Sequence, residues 1–295
     1  MAKDPQGELK AFQPKHDFFV GIDSDGCAFD TMEIKHKECF IPNIINHWHL
    51  QAVSKYAREA AEFVNLYSKW RGCNRFIALA MVFDLLTDRA DVKKRKVKIP
   101  KAPQIRKFID SGIPLGEPGL KVYMKKNKTA ELKQAYKWSR AVNDTIADMV
   151  HDIPPFPGVK ESMQKLSKQA DMICVSATPA EALTREWKEH GIAAYAAVIA
   201  GQEMGKKAEH IALATKGLYK KSRVLMIGDA PGDMKAARAN GALFYPINPG
   251  HEEESWQRFY DEGIDKFLNE TYKGAYEKKV IKEFNKLLPS KPPWK

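Results

Sequence analysis

Three short apolar runs, each passing directly into a polar loop, constrain this chain more than any other feature. Phe18-Phe19-Val20-Gly21-Ile22 ends in Asp23-Ser24-Asp25-Gly26. Met172-Ile173-Cys174-Val175 ends in Ser176-Ala177-Thr178-Pro179, and Val224-Leu225-Met226-Ile227 ends in Gly228-Asp229-Ala230-Pro231-Gly232-Asp233. Runs of this length bounded by turn-forming residues read as buried strands. Helical spacing surrounds them: Val159, Met163 and Leu166 before the second run, Ala182, Leu183 and Trp187 after it, Met234 and Ala237 after the third. This alternation predicts an α/β fold with a parallel sheet and helices on its faces. Ligands of such sheets bind beyond the carboxyl ends of the strands, and all three polar loops fall there.

The stretch between the first and second runs has a different period. Ile45, Trp48, Ala52, Tyr56, Ala60, Phe63, Val64 and Tyr67 keep three- and four-residue spacing. Phe76, Leu79, Ala80, Phe83 and Leu86 form a second stripe. Leu132, Tyr136, Ser139, Val142, Ile146 and Met149 form a third, weakened by Ser139. Pro and Gly concentrate from Pro100 to Gly119, between the second and third stripes. We expect a helical domain over 36–150, leaving near Met32 and returning near Pro154-Pro155. Residues 1–35 and 151–295 then form a discontinuous α/β core with a C-terminal helical extension.

Charge follows the same division. The formal net charge is +11, and residues 36–150 hold 22 Lys/Arg against 11 Asp/Glu, so this one segment carries the whole surplus. Its densest part runs from Lys93-Lys94-Arg95-Lys96 through Lys98, Lys101, Arg106 and Lys107. It reads either as a solvated basic loop or as an attractor for an anionic substrate or polyanion. Charged residues at 29% and hydrophobic residues at 44% exclude a disordered chain or a coiled-coil rod. No stretch reaches the roughly 18 apolar residues of a membrane helix, and the N-terminus has no apolar signal region. Cys27, Cys39, Cys73 and Cys174 in a chain of this size read as reduced thiols. The expected setting is therefore cytoplasmic, without membrane contact.

Carboxylates at strand ends carry the chemical information. Asp23 and Asp25 follow a buried strand, and Asp229 and Asp233 lie at another. Desolvating a carboxylate costs several kcal/mol unless a cation or hydrogen bonds compensate it. An all-oxygen cluster of like charges selects a hard divalent cation, Mg²⁺ in particular.

In order and context, these loops resemble the motifs of the haloacid-dehalogenase-like (HAD) hydrolase superfamily. Within it the likeness is to the capped phosphatase branch that includes phosphoglycolate phosphatase and beta-phosphoglucomutase. Ile22-Asp23-Ser24-Asp25-Gly26 matches its Asp-x-Asp-Gly motif, Ile173-Cys174-Val175-Ser176 its strand ending in Ser or Thr, and Gly228-Asp229 to Asp233 its Gly-Asp-x-x-x-Asp motif. For the motif lysine two readings stay open. Lys207 fits the form in which an acid and an aliphatic residue follow at Glu209 and Ile211. Lys206 fits an alternative spacing whose prolines this chain lacks, and Lys207 is favoured. The resemblance implies a Rossmann-like core, a helical cap and Mg²⁺-dependent phosphoryl chemistry. Asp23 would be the nucleophile and Asp25 the general acid and base. Ser176, Ala177 and Lys207 (or Lys206) would face the phosphoryl group. The metal would be held by Asp23, Asp25 through its main-chain oxygen, Asp229 and Asp233. The acid at Asp25 speaks against dehalogenation, because halide leaves without a proton.

By the same likeness the partner is a small phosphorylated metabolite, with nucleic acid disfavoured. Arg71 and Arg75, flanking Gly72-Cys73-Asn74, are candidates to grip a second anionic group of the substrate. Alternatives are a sugar phosphomutase or phosphonatase of the same superfamily, and a polyanion-binding protein with an inactive core. A zinc site from His36, Cys39, His47 and His49 is a weak reading, since two histidines two residues apart on a helix face apart. Cys27 reads as a small apolar filler.

Overall fold

The computed structural model describes residues 4–295. The chain forms two compact units. One comprises the described residues up to Thr31 together with Asp152–Leu287, the other Met32–His151 together with Leu288–Lys295.

The first unit is built on five strands: β1 (Phe18–Ile22), β2 (Ala170–Val175), β3 (Val198–Ala200), β4 (Val224–Gly228) and β5 (Leu243–Pro246). All pairings are parallel and the spatial order is β3-β2-β1-β4-β5, which makes this unit a Rossmann-like α/β core. Every crossover between parallel partners needs a connection of a dozen or more residues, and helices supply them. Helices Val159–Leu166, Ala180–Glu189, Lys207–Thr215 and Pro231–Ala239 flank the strands. β2 and β4 are buried along their whole length, as expected of strands covered on both faces. Gly21 sits at the centre, where an added Cβ would meet Val175 at 3.0 Å and Met226 at 3.2 Å on the two neighbouring strands.

Register explains why the polar loops meet. Ile22 pairs with Cys174 on one side and Ile227 on the other. Asp23, Ser176 and Asp229 therefore leave three adjacent strands at nearly the same height. The three strands read from sequence are present, with β2 beginning earlier at Ala170 and β4 ending later at Gly228. β3 and β5 were not foreseen. Both are short edge strands, and the apolar signal of β5 ends in a proline.

An edge strand exposes unpaired backbone groups, and β5 is covered on its outer side. The Phe244 N–H donates to Glu277 Oε1 at 3.0 Å, and Tyr272 Oη donates to the Phe244 carbonyl at 2.8 Å. Both side chains come from the C-terminal segment, where Ala275–Leu287 is helical and packs through Val280 and Phe284.

In the second unit every regular element is a helix. Its core gathers Trp48, Phe76, Phe83, Phe108 and Trp138, with Phe76 edge-on to Phe108 at 5.3 Å and to Trp138 at 5.9 Å. The first stripe is not one helix. It breaks between Ile41–His47 and Ser54–Asn65, and His49 adopts φ +54° at the break. The Pro/Gly-rich stretch is partly helical. Pro103–Ile109 and Glu117–Lys126 are helices whose prolines stand in the first turn, where a missing N–H costs no hydrogen bond. Ser139, the polar residue in the third stripe, is buried and accepts from Arg75. The last residues, read from sequence with the core, pack instead in the helical unit. The Lys69 N–H donates to the Pro289 carbonyl at 3.3 Å, and Trp294 lies 4.4 Å from the Arg89 guanidinium. No helix among the described residues is long and apolar enough to cross a membrane.

Removing the edge cover should destabilise the core unit. We expect Tyr272→Phe to cost about 1 kcal/mol and Glu277→Ala about 1–3 kcal/mol, because the latter leaves a buried N–H unsatisfied. Urea unfolding followed by circular dichroism checks this; an unchanged midpoint for Glu277→Ala would refute the edge role.

Candidate active site

Asp23 follows β1 with its N–H donating to the Ile227 carbonyl at 3.0 Å, so the sheet ladder extends to the residue itself. Its carboxylate is 4% exposed and both oxygens are held: Oδ1 by the Ser24 N–H at 2.8 Å, Oδ2 by Lys207 Nζ at 2.7 Å. Lys207 opens the helix Lys207–Thr215 and also reaches Asp233 Oδ1 at 2.6 Å. The other oxygen of Asp233 accepts the Ala230 N–H at 3.0 Å, which pins the start of helix Pro231–Ala239. Gly228 allows this approach, since a Cβ there would lie 2.4 Å from the Asp233 Cβ.

Carboxylate oxygens of Asp23, Asp229 and Asp233 lie within 4.8 Å of one another, and the latter two residues are 1% and 0% exposed. Burial, and then repulsion from Asp233 and Asp229, push the Asp23 carboxyl well above the usual range, with Lys207 offsetting only part. Burial alone would lower the Lys207 pKa, but Asp23 and Asp233 carry it well above the ordinary lysine value. Lys207 thus bridges two of the three buried acids. The donors are all hard oxygens and the local charge is negative, so the residues present fit a hard divalent cation of the Mg²⁺ type.

Asp25 stands apart from this cluster. Its carboxylate accepts from Thr31 Oγ1 and, at 2.7 Å, from Thr178 Oγ1. Both hydroxyls rotate, so they can serve the ionised or the protonated acid. Of the four residues expected to hold metal, Asp25 is thus the one whose side chain is engaged elsewhere. The sequence reading assigned it only a main-chain oxygen.

Ser176 leaves β2 with its N–H on the Ala200 carbonyl at 3.0 Å, and its buried hydroxyl accepts the Thr178 N–H at 3.2 Å. Ala177 is exposed on the same loop. Thr178 and Thr31 were not singled out from sequence, although Thr178 lies in the polar loop already identified. The two candidate lysines differ in direction. Lys207 points into the acid cluster, whereas Lys206 is exposed and offers its backbone N–H to Glu209 Oε2 at 2.8 Å.

Arg71 and Arg75, the candidate substrate grips, both have partners within the helical unit. Arg71 is buried and donates to the Leu66 carbonyl at 3.0 Å. Arg75 donates to Ser139 and, at 2.8 Å, to Asn143 Oδ1, and burial lowers its pKa to about 10. Both guanidiniums bind the helical unit together from within. Nor do His36, Cys39, His47 and His49 form a metal cluster; among the described residues that property belongs to Asp23, Asp229 and Asp233 alone. Cys27 is buried, as a filler would be, and burial pushes its thiol pKa up. Within the basic segment, Arg95 lies 5.1 Å from the Tyr56 ring and Arg106 pairs with Asp84 at 2.7 Å.

Removing the shared cation exposes the energetics. Lys207→Met should destabilise the metal-free protein by about 3–5 kcal/mol, the cost of leaving buried charges without a partner. Urea unfolding in the presence of a chelator measures it, and a loss below about 1 kcal/mol would show that Lys207 does not hold the cluster together.

Comparison with known proteins follows the geometry. The sequence profile described as haloacid dehalogenase-like hydrolase matches residues 89–246, which include Ser176, Lys207, Asp229 and Asp233 but begin after Asp23. No curated protein matches the chain in sequence. Among solved structures, a candidate phosphoglycolate phosphatase from Lactobacillus delbrueckii subsp. bulgaricus is similar with a TM-score of 0.50 at 14% identity, over 83% of this chain and 92% of its own. A haloacid dehalogenase-like family hydrolase from Streptococcus pneumoniae aligns with a TM-score of 0.44 at 18% identity, over 90% and 98% of the two chains. For a candidate beta-phosphoglucomutase from Thermotoga maritima the values are 0.42 and 15%, over 84% and 99%. The Lactobacillus structure supports the fold, and the profile covers more than half of the sequence: the chain belongs to the haloacid dehalogenase-like hydrolase family.

Proposed function

We propose that this protein is a Mg²⁺-dependent phosphohydrolase acting on a small phosphomonoester through a phosphorylated Asp23. One observation carries the reading: a buried carboxylate at the end of the central strand is fixed at both oxygens, with a second acid two residues on held by hydroxyl groups outside the metal-type cluster. That separation gives two carboxyl groups two environments and so two tasks.

Asp23, Asp229 and Asp233 would hold the cation, with Asp25 contributing its main-chain oxygen. Bound there, Mg²⁺ supplies Lewis-acid charge that offsets repulsion between an anionic nucleophile and a phosphate dianion. An oxygen of Asp23 attacks phosphorus, forming an acyl phosphate as the ester P–O bond breaks. The Asp25 carboxyl gives its proton to the departing alkoxide. As a carboxylate it then takes a proton from the water whose oxygen attacks phosphorus and frees Asp23. Lys207 and the Ser176 hydroxyl stabilise the phosphoryl oxygens, with the Ala177 backbone beside them. The similar Lactobacillus structure, a candidate phosphoglycolate phosphatase, agrees with phosphoryl chemistry. A phosphomutase would use the same residues and return the phosphoryl group to a sugar, and a substrate panel separates the two. Four free thiols support a reducing, cytoplasmic setting.

Phosphate release from a panel of sugar, nucleotide and small-acid phosphates tests the proposal; no release from any of them with Mg²⁺ present would refute it. Asp23→Asn should abolish turnover. Asp25→Asn should slow alkyl phosphates by about 10²–10⁴-fold, whereas p-nitrophenyl phosphate should still give a fast burst of nitrophenol before a slowed steady state, because that leaving group needs no proton and only the later hydrolysis requires Asp25 as a base. In a thermal unfolding assay, Mg²⁺ at about 100 times its dissociation constant should add about 2.7 kcal/mol of stability, and Asp229→Asn should remove most of that gain.

A further inference from the structure

Ser24, between the two aspartates, has no part in the chemistry above, yet all its polar groups are engaged. It is fully buried. Its N–H donates to Asp23 Oδ1 at 2.8 Å, and its carbonyl accepts the N–H groups of Cys27, Ala28 and Phe29 at 3.2, 2.9 and 3.0 Å. Its hydroxyl accepts from Trp187 Nε1 at 2.9 Å and donates to Glu186 Oε2 at 3.3 Å. Trp187 and Glu186 are neighbours on the helix Ala180–Glu189, and Trp187 is fully buried with its ring 6.4 Å from Phe29.

An indole N–H only donates and a carboxylate only accepts, so one orientation of the Ser24 hydroxyl serves both. A buried hydroxyl needs one partner to be satisfied. Here it has two, of opposite polarity, both from an element that follows β2 rather than β1. The hydroxyl thereby ties the Asp23–Ser24 peptide to that helix, and the peptide N–H in turn orients the Asp23 carboxylate. We propose that Ser24, Trp187 and Glu186 are positioning residues that set the attack geometry of Asp23. The role rests on the proposed function, since it presumes that Asp23 attacks phosphorus. A misplacement of about 1 Å at a reacting group costs about 10²-fold in rate, so a side chain linked to Asp23 through two successive hydrogen bonds is felt in turnover.

The test uses p-nitrophenyl phosphate turnover with Mg²⁺ and, independently, the Ser24 amide resonance in a two-dimensional ¹H–¹⁵N spectrum. Trp187→Phe keeps an aromatic ring at this buried position but removes the N–H donor together with the five-membered ring that carries it. It should lower kcat about 10-fold or more with KM changed less than about twofold, and move the Ser24 amide proton upfield as its bond to Asp23 loosens. Ser24→Ala should do the same to kcat. Glu186→Gln, which keeps an oxygen acceptor, should recover most of the activity that Glu186→Leu loses. The inference is overturned if Trp187→Phe leaves the Ser24 amide and kcat at their wild-type values. It is equally overturned if kcat falls only in proportion to a loss of folded protein with the amide unmoved. Should the wild type release no phosphate while the amide still responds to Trp187→Phe, the phosphohydrolase reading fails and the positional link stands.

Discussion

Negative charge gathered where water is scarce is the constraint on which this molecule turns. Asp23, Asp229 and Asp233 crowd within 4.8 Å at the ends of two adjacent buried strands, and Lys207 is the cation that reaches two of them. In a low-dielectric environment such a set holds together only while positive charge is supplied. Much nearby structure serves that supply. Helix Lys207–Thr215 begins where its first side chain can enter the cluster, and Gly228 lacks a Cβ where Asp233 must approach. A set of hard oxygen donors with negative local charge is of the kind that fits a hard divalent cation.

Around that cluster the sheet acts as a gauge. β1 lies between β2 and β4, and its register with both brings three loops, far apart in sequence, to one end of the sheet. Neighbouring helices then refine the arrangement. Thr178, from the β2 loop, holds Asp25 apart from the metal-type acids, and Trp187 with Glu186 reaches back to Ser24. The two carboxyl groups of one short motif thus acquire different surroundings.

The helical unit carries the basic surplus, and part of that charge is internal. Arg75 bridges to Ser139 and Asn143, and Arg71 supports the Leu66 turn. A formula of Arg-Gly-Cys-Asn-Arg between helices looks polar and exposed in one dimension. Whether a long guanidinium faces outward depends on carbonyls brought near it by other helices, and sequence spacing does not contain that information. The same limit applies to Pro103 and Pro118, whose places in the first turns of helices their sequence neighbours leave undecided.

Local physics was legible directly. An apolar run followed by acids must be a buried strand delivering charge to its end, so β1, β2, β4 and the loops bearing Asp23, Asp25, Ser176, Asp229 and Asp233 could be read from residue order alone. Helical stripes marked the second unit in the same way, because burial of one helix face imposes its period on the chain. What required the folded molecule was everything set by direction rather than by type. Lys206 and Lys207 are chemically identical neighbours, and only the entry angle of their helix sends one to the acids and the other to solvent. The short edge strands β3 and β5, the pairing of Glu277 with the outer edge of β5, and the bridge from Ser24 to Trp187 all join residues distant in sequence. Their energies come from contacts that exist only once the chain has closed on itself.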